Sequence, residues 1–133
     1  MTSAFLDTNV LLYLLSGDAA KADTAEALLA KGGTISVQVL NEFAHVARRK
    51  FRAPWTTVVD SLAALKANLE VQPVTVETHN LGLQIAERYV LSVFDGQLLA
   101  AATLASCDQF YSEDMQHGQV IDGLTITNPF AVH

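Results

Sequence analysis

The apolar positions of this chain fall into two alternating kinds of stretch. Phe5-Leu6, Thr34-Ile35-Ser36, Leu69 to Val74, Phe110-Tyr111 and Leu124 to Thr127 are short runs or period-two alternations, and each predicts a strand. Helical spacing fills the intervals. Asn9 to Leu15 reads as a short helix, and the break Ser16-Gly17-Asp18 offers Asp18 as the cap of a second. That second helix should run to about Lys31, with Ala25, Leu28 and Leu29 inward and Gly32-Gly33 as its stop. Val39, Leu40, Phe43, Ala44 and Ala47 give a clear apolar stripe, and Trp55, Val58, Val59 and Leu62 give another after the break at Pro54. Leu81, Ile85 and Tyr89 recur one turn apart, and Gln97 to Ala105 reads as a helix of small residues.

Strands separated by helices need crossover connections, and these imply a mainly parallel sheet covered on both faces. The expected class is α/β, in one domain over residues 1–133, without internal repeat or linker. In such sheets ligands bind beyond the carboxyl ends of the strands. Acidic residues interrupt the apolar pattern at those places. Asp7 and Asp114 directly follow strands, Asp95 begins a helix, and Glu42 lies within one.

Each acid has a bland explanation. Asp7 suits the N-cap of a helix starting at Thr8, and Asp95 suits another cap with Gly96 as the first helical residue. Glu42 lies one turn from Val39 and Val46 and suits a solvated face, while Asp114 competes with Glu113 for any inward role. Taken together, the four suggest a shared compensation. Carboxylates set in apolar sequence are costly unless something neutralises them, and a divalent cation with oxygen ligands would neutralise all four. Without it, neighbouring carboxylates repel and some protonate. Magnesium keeps several waters, makes a bound water easier to deprotonate and stabilises charge on phosphoryl oxygens. The chemistry that follows is phosphodiester hydrolysis.

Charge changes this picture only in its distribution. The net charge is −6, which is unusual for a nucleic-acid binder, yet Arg48, Arg49, Lys50 and Arg52 fall together among only eight basic residues. They suit a helix C-terminus, where cations favour the macrodipole, and they equally suit contact with phosphates. Half the residues are apolar and 17% are charged, which favours a packed core over disorder. No run is long enough for a membrane span, and Met1 to Asp7 lacks the pattern of a signal peptide. Cys107, the sole cysteine, excludes an internal disulfide, fits a reducing cytoplasm and reads as a small core residue. His45, His79, His117 and His133 show no zinc-ligand spacing, and His117-Gly118 suits a turn. Leu11, Leu12 and Leu15 suit either core or a partner surface.

The segment Phe5-Leu6-Asp7-Thr8-Asn9-Val10-Leu11-Leu12-Tyr13 resembles the opening of a PIN domain. Ser36 to Phe43 resembles that family's second acidic motif, Asp95 with the helix after it the third, and Tyr111 to Gly118 the fourth. Asn128-Pro129-Phe130 is similar to the end of the VapC-like bacterial toxins. The likeness covers nearly the whole chain in motif order. It implies a three-layer α/β/α sandwich and a magnesium-dependent endoribonuclease, with manganese able to substitute. On that resemblance Asp7, Glu42, Asp95 and Asp114 are the catalytic and metal-binding acids, with Asp7 and Asp95 as direct ligands. Thr8, Asn9 and Ser112 are the polar residues beside them, and Arg48 and Arg49 join them as candidate RNA contacts. It further implies an RNA substrate, a homodimer and a cognate antitoxin. The one departure is Phe94-Asp95-Gly96, where the family more often has Trp, Asp and Ala. Two other readings remain: a PIN-like binding module without turnover, acting through protein partners, and a structure-specific DNA nuclease, disfavoured because no added DNA-binding segment is seen.

Overall fold

The structure, a computed structural model, describes residues 3–131. Its centre is a six-stranded sheet in the order β3-β2-β1-β4-β6-β5. The strands are β1 (Ala4–Leu6), β2 (Thr34–Ser36), β3 (Glu70–Gln72), β4 (Gln109–Tyr111), β5 (Val120–Ile121) and β6 (Leu124–Thr127). All pairings are parallel except that of β5 with β6. The helices are α1 (Thr8–Leu12), which runs into a 3-10 turn at Tyr13–Leu15, then α2 (Ala19–Lys31), α3 (Val37–Arg49), α4 (Trp55–Asn68), α5 (Val76–Tyr89) and α6 (Val93–Leu104). They complete a three-layer α/β/α arrangement. Among the described residues no helix is long and apolar enough to cross a membrane.

Local chemistry explains the boundaries. Asp18 caps α2 by accepting from the Lys21 N–H at 3.2 Å, and α2 stops at Gly32, whose φ of 89° is left-handed. Thr75 and Thr78 close a reciprocal capping box at the start of α5. Val39, Phe43 and Ala47 line the buried face of α3. The central strands are short and bury Phe5, Leu6, Ile35 and Phe110, with the polar Thr34 and Ser36 of β2 buried beside them. Phe5 and Phe110, paired in register, stack their rings 5.3 Å apart against the core.

Three expectations need adjustment. The third strand keeps only Glu70–Gln72 and ends before Pro73, which has no N–H for a ladder. The small-residue helix begins at Val93, not at Gly96 or Gln97, because Ser92 caps it by accepting from the Asp95 N–H at 3.0 Å. The strand β5 was not anticipated at all. Asp122 and Gly123 both have positive φ (50° and 82°), the two-residue turn that folds β5 back onto β6.

Candidate active site

Parallel pairing of β1 with β4 places their carboxyl ends side by side. Asp7 follows β1 and donates its N–H to the Tyr111 carbonyl at 2.9 Å, and Ser112 follows β4. Asp7 also caps α1, its Oδ1 accepting from the Thr8 N–H at 2.7 Å. Its other oxygen, Oδ2, accepts from the Ser112 hydroxyl at 2.8 Å and the Asn9 amide at 3.1 Å. The expected cap is therefore made by a carboxylate that is 5% exposed and also accepts from Ser112 and Asn9.

The other acids arrive from separate elements. Glu42 sits on α3; its Oε1 accepts from the Thr8 hydroxyl at 2.9 Å and its Oε2 from Gln38 Nε2 at 3.0 Å. Gln38 also donates to the Phe94 carbonyl at 3.0 Å, which ties α3 to the first turn of α6 beside Asp95. Asp114 follows β4, and its Oδ2 accepts from Asn9 Nδ2 at 2.9 Å. Its neighbour Glu113 turns elsewhere, to Lys21 Nζ at 2.8 Å and the Tyr13 hydroxyl. Asp7, Glu42, Asp95 and Asp114 thus line one open cleft of about 410 Å3, together with Thr8, Asn9, Asn41 and His45.

Thr8, Asn9 and Ser112, expected beside the acids, spend their polar groups on orienting them. Arg48 and Arg49 do not line the cleft. Arg48 donates to the Ala53 carbonyl at 2.9 Å and lies 4.5 Å over the Trp55 ring, so it fastens the α3–α4 connection. The sequence reading missed Gln38, Asn41 and His45. Their signal was present: Gln38, Asn41, Glu42 and His45 share the polar side of α3 opposite its apolar stripe. His117 accepts from the Asn128 N–H at 3.0 Å and belongs to a turn, as expected.

The electrostatics are one-sided. Burial pushes the Asp7 carboxyl up to about 7; the donors Ser112 and Thr8 oppose this, and the charges of Asp95 and Glu42 add to it. Asp95 is raised too, by burial first and then by Glu42 and Asp114, against the effect of Ser92. Among the described residues no Lys or Arg lines the cleft to balance these charges.

A divalent cation fits this donor set. The donors are hard oxygens, as magnesium or manganese requires, and Gln38 Oε1 next to Glu42 is a further buried oxygen without a hydrogen-bond partner. Among the described residues, no three His, Cys, Asp or Glu side chains are drawn together as a ready-made cage.

The PIN domain family matches residues 4–121 of the chain. Among solved structures, a toxin–antitoxin complex from Klebsiella pneumoniae is similar with a TM-score of 0.75 at 21% identity, covering 98% of this chain and 100% of that one. VapBC2 from Rickettsia felis, bound to a DNA fragment from its promoter, gives 0.69 at 17% identity, over 96% and 98%. VapC20 from Mycobacterium tuberculosis, described as a sarcin-ricin loop cleaving toxin, gives 0.63 at 23% identity, over 84% and 90%. At these identities the likeness is one of fold. No protein of curated function matches the sequence.

Proposed function

The chain belongs to the PIN-domain family, and from that premise we propose that it is a metal-dependent endoribonuclease, the toxin of a toxin–antitoxin pair. The observation that carries this reading is the convergence of Asp7, Glu42, Asp95 and Asp114 on one cleft that, among the described residues, no Lys or Arg lines. Magnesium, or manganese in its place, would supply Lewis acidity toward a phosphodiester and make a water easier to deprotonate. Asp7 and Asp95 would hold it, and Glu42 and Asp114 would complete the oxygen set around it. The donors on Asp7 hold its carboxylate rigid before substrate arrives, so little reorganisation remains for the reaction itself. Thr8 and Gln38 do the same for Glu42. The expected products carry 5′-phosphate and 3′-hydroxyl ends.

The solved structures with this fold include a toxin–antitoxin complex and an RNA-cleaving toxin. They support an antitoxin as the protein partner and RNA as the substrate; a homodimer in the cytoplasm is the expected setting. The test is cleavage of total RNA by the purified protein. Magnesium or manganese should switch cleavage on, excess chelator should switch it off, and Asp7→Asn should abolish it. Ser112→Ala, which removes a donor from Asp7 without touching RNA, should cost roughly tenfold to a hundredfold. Cleavage that persists at full rate in chelator overturns the reading.

A further inference from the structure

A second cavity, of about 220 Å3, opens beside the acidic cleft and shares Asn9, Leu12 and Asp114 with it. Tyr13, Lys50, Phe51 and Glu113 complete its lining. Its chemistry differs from that of the cleft. Leu12, Tyr13 and Phe51 give it apolar and aromatic walls; of its charged groups Glu113 is paired with Lys21, which leaves Asp114 and Lys50 of opposite sign. A neutral planar ring suits such a cavity, and aromatic side chains are what single-stranded nucleic acid stacks on.

Two of the walls are held in place. Phe51 is half-buried just past α3 and anchored by its N–H to the Val46 carbonyl at 3.4 Å. The Tyr13 ring meets the Phe130 ring edge-on at 4.7 Å, and its hydroxyl is committed to Glu113. Lys50 brings positive charge into the lining itself. Lys50 Nζ stands 5.8 Å from the Phe51 ring centroid, and Arg49, Lys50 and Arg52 are all exposed. Among the described residues the ion pairs are Lys21–Glu113 and Arg88–Asp122, so no protein carboxylate occupies these three cations.

Resting on the nuclease reading above, we propose that this cavity is a nucleobase subsite, in which an unpaired base adjoining the cut phosphodiester stacks on Phe51 while Lys50 meets the phosphate beyond it. The subsite makes the enzyme a reader of single-stranded RNA. It also sets where along a strand the cleft can act, because the base must be unstacked to enter.

The experiment compares wild type with Phe51→Leu, which keeps apolar bulk but loses the stacking face, and Phe51→Trp, which restores it. The substrate is a short single-stranded RNA carrying the mapped cut site, intact or with one flanking nucleotide made abasic. For wild type, one abasic position should lower kcat/KM roughly tenfold. Phe51→Leu should lose a similar factor on intact RNA and be insensitive to that abasic change, while Phe51→Trp behaves as wild type. Additive losses, or a Phe51→Leu enzyme that cuts intact RNA as wild type does, overturn the subsite and leave the nuclease reading standing. Should wild type cut no RNA at all, the nuclease reading fails, and binding judges the cavity separately. In that case an oligonucleotide with 2-aminopurine at each position in turn should be quenched at one position by wild type and not by Phe51→Leu; no difference between the two proteins overturns the subsite.

Discussion

Asp7 carries the strongest single-residue consequence. Its carboxyl titrates at about 7 in the folded protein against 3.8 for the ordinary value, chiefly through burial. The folded state therefore holds the proton more tightly than the unfolded chain does. The stability this contributes is complete below about pH 4 and is lost as pH rises toward 7, because the folded protein must then bury a charge. A shift of that size corresponds to at most about 4 kcal/mol. The raised carboxyl of Asp95 acts in the same direction. In chelator, denaturant midpoints for wild type should fall between pH 4 and 7, and Asp7→Asn should flatten the fall and leave a protein more stable than wild type at pH 8. A wild-type midpoint that does not move with pH over this range would contradict the account. The same variant is expected to be inactive on the proposed function.

At the scale of elements, the approach of α5 to α6 decides where Asp95 stands. A Cβ added at Gly96 would meet the Gly82 carbonyl oxygen at 2.4 Å and the Ala86 Cβ at 3.0 Å. By helix propensity alone Gly96→Ala should gain up to about 1 kcal/mol, but forced overpacking costs about 1–3 kcal/mol and prevails here because one partner is backbone. Thermal unfolding should show Gly96→Ala to be destabilised, with activity lost as α6 is pushed outward; an unchanged Tm with full activity would count against this packing. The family's commoner alanine at this place is thus excluded by Gly82 and Ala86 in this chain, which sequence alone could not reveal. A second element-level tie is the set Lys21, Tyr13, Glu113 and Phe130. It joins α2, the turn after α1, the loop after β4 and the chain end, with Lys21 Nζ 4.7 Å and 5.4 Å from the two ring centroids. Glu113 lies next to Asp114, and its N–H is held by Asn9 Oδ1 at 3.1 Å. Lys21→Ala should lower kcat severalfold with little change in KM, since it loosens the loop that presents Asp114 without touching substrate. A selective rise in KM would instead place Lys21 in RNA contact.

The same elements show what the chain made legible. Strands and helices with strong periodicity were readable because burial enforces period: Phe5-Leu6 and the Val39-Phe43-Ala47 stripe could lie nowhere but inside. The parallel topology then made it readable that Asp7 and the loop after Tyr111 would meet. Three things were hidden. The start of α6 depended on Ser92, one polar residue among several plausible caps. The short β5 carried its signal in Asp122-Gly123, a turn pair easily passed over beside a two-residue strand. The destination of each basic side chain depended on tertiary contacts, so Arg48 looked like a phosphate ligand while its partners were the Ala53 carbonyl and the Trp55 ring.

For the whole molecule, the proposed function would bring a polyanionic substrate to a protein of net charge −6. Long-range attraction cannot drive that encounter, and affinity must come from local positive charge. The segment after α3 provides it: Arg49, Lys50 and Arg52 are exposed and outside any described ion pair, and Lys50 lines the cavity beside the cleft. About three phosphate contacts on a single strand give a slope near −2 for log K against log salt, since each contributes about −0.7. Arg49→Ala or Arg52→Ala should weaken binding of the inactive Asp7→Asn protein to single-stranded RNA and make the slope shallower by about 0.7 each. Arg48→Ala should leave the slope unchanged and lower Tm instead, because its guanidinium is already spent on Ala53 and Trp55. Fluorescence anisotropy across a salt series separates the cases. A slope equally reduced by Arg48→Ala, or untouched by Arg49→Ala and Arg52→Ala, would mean that RNA approaches the acidic cleft from another side.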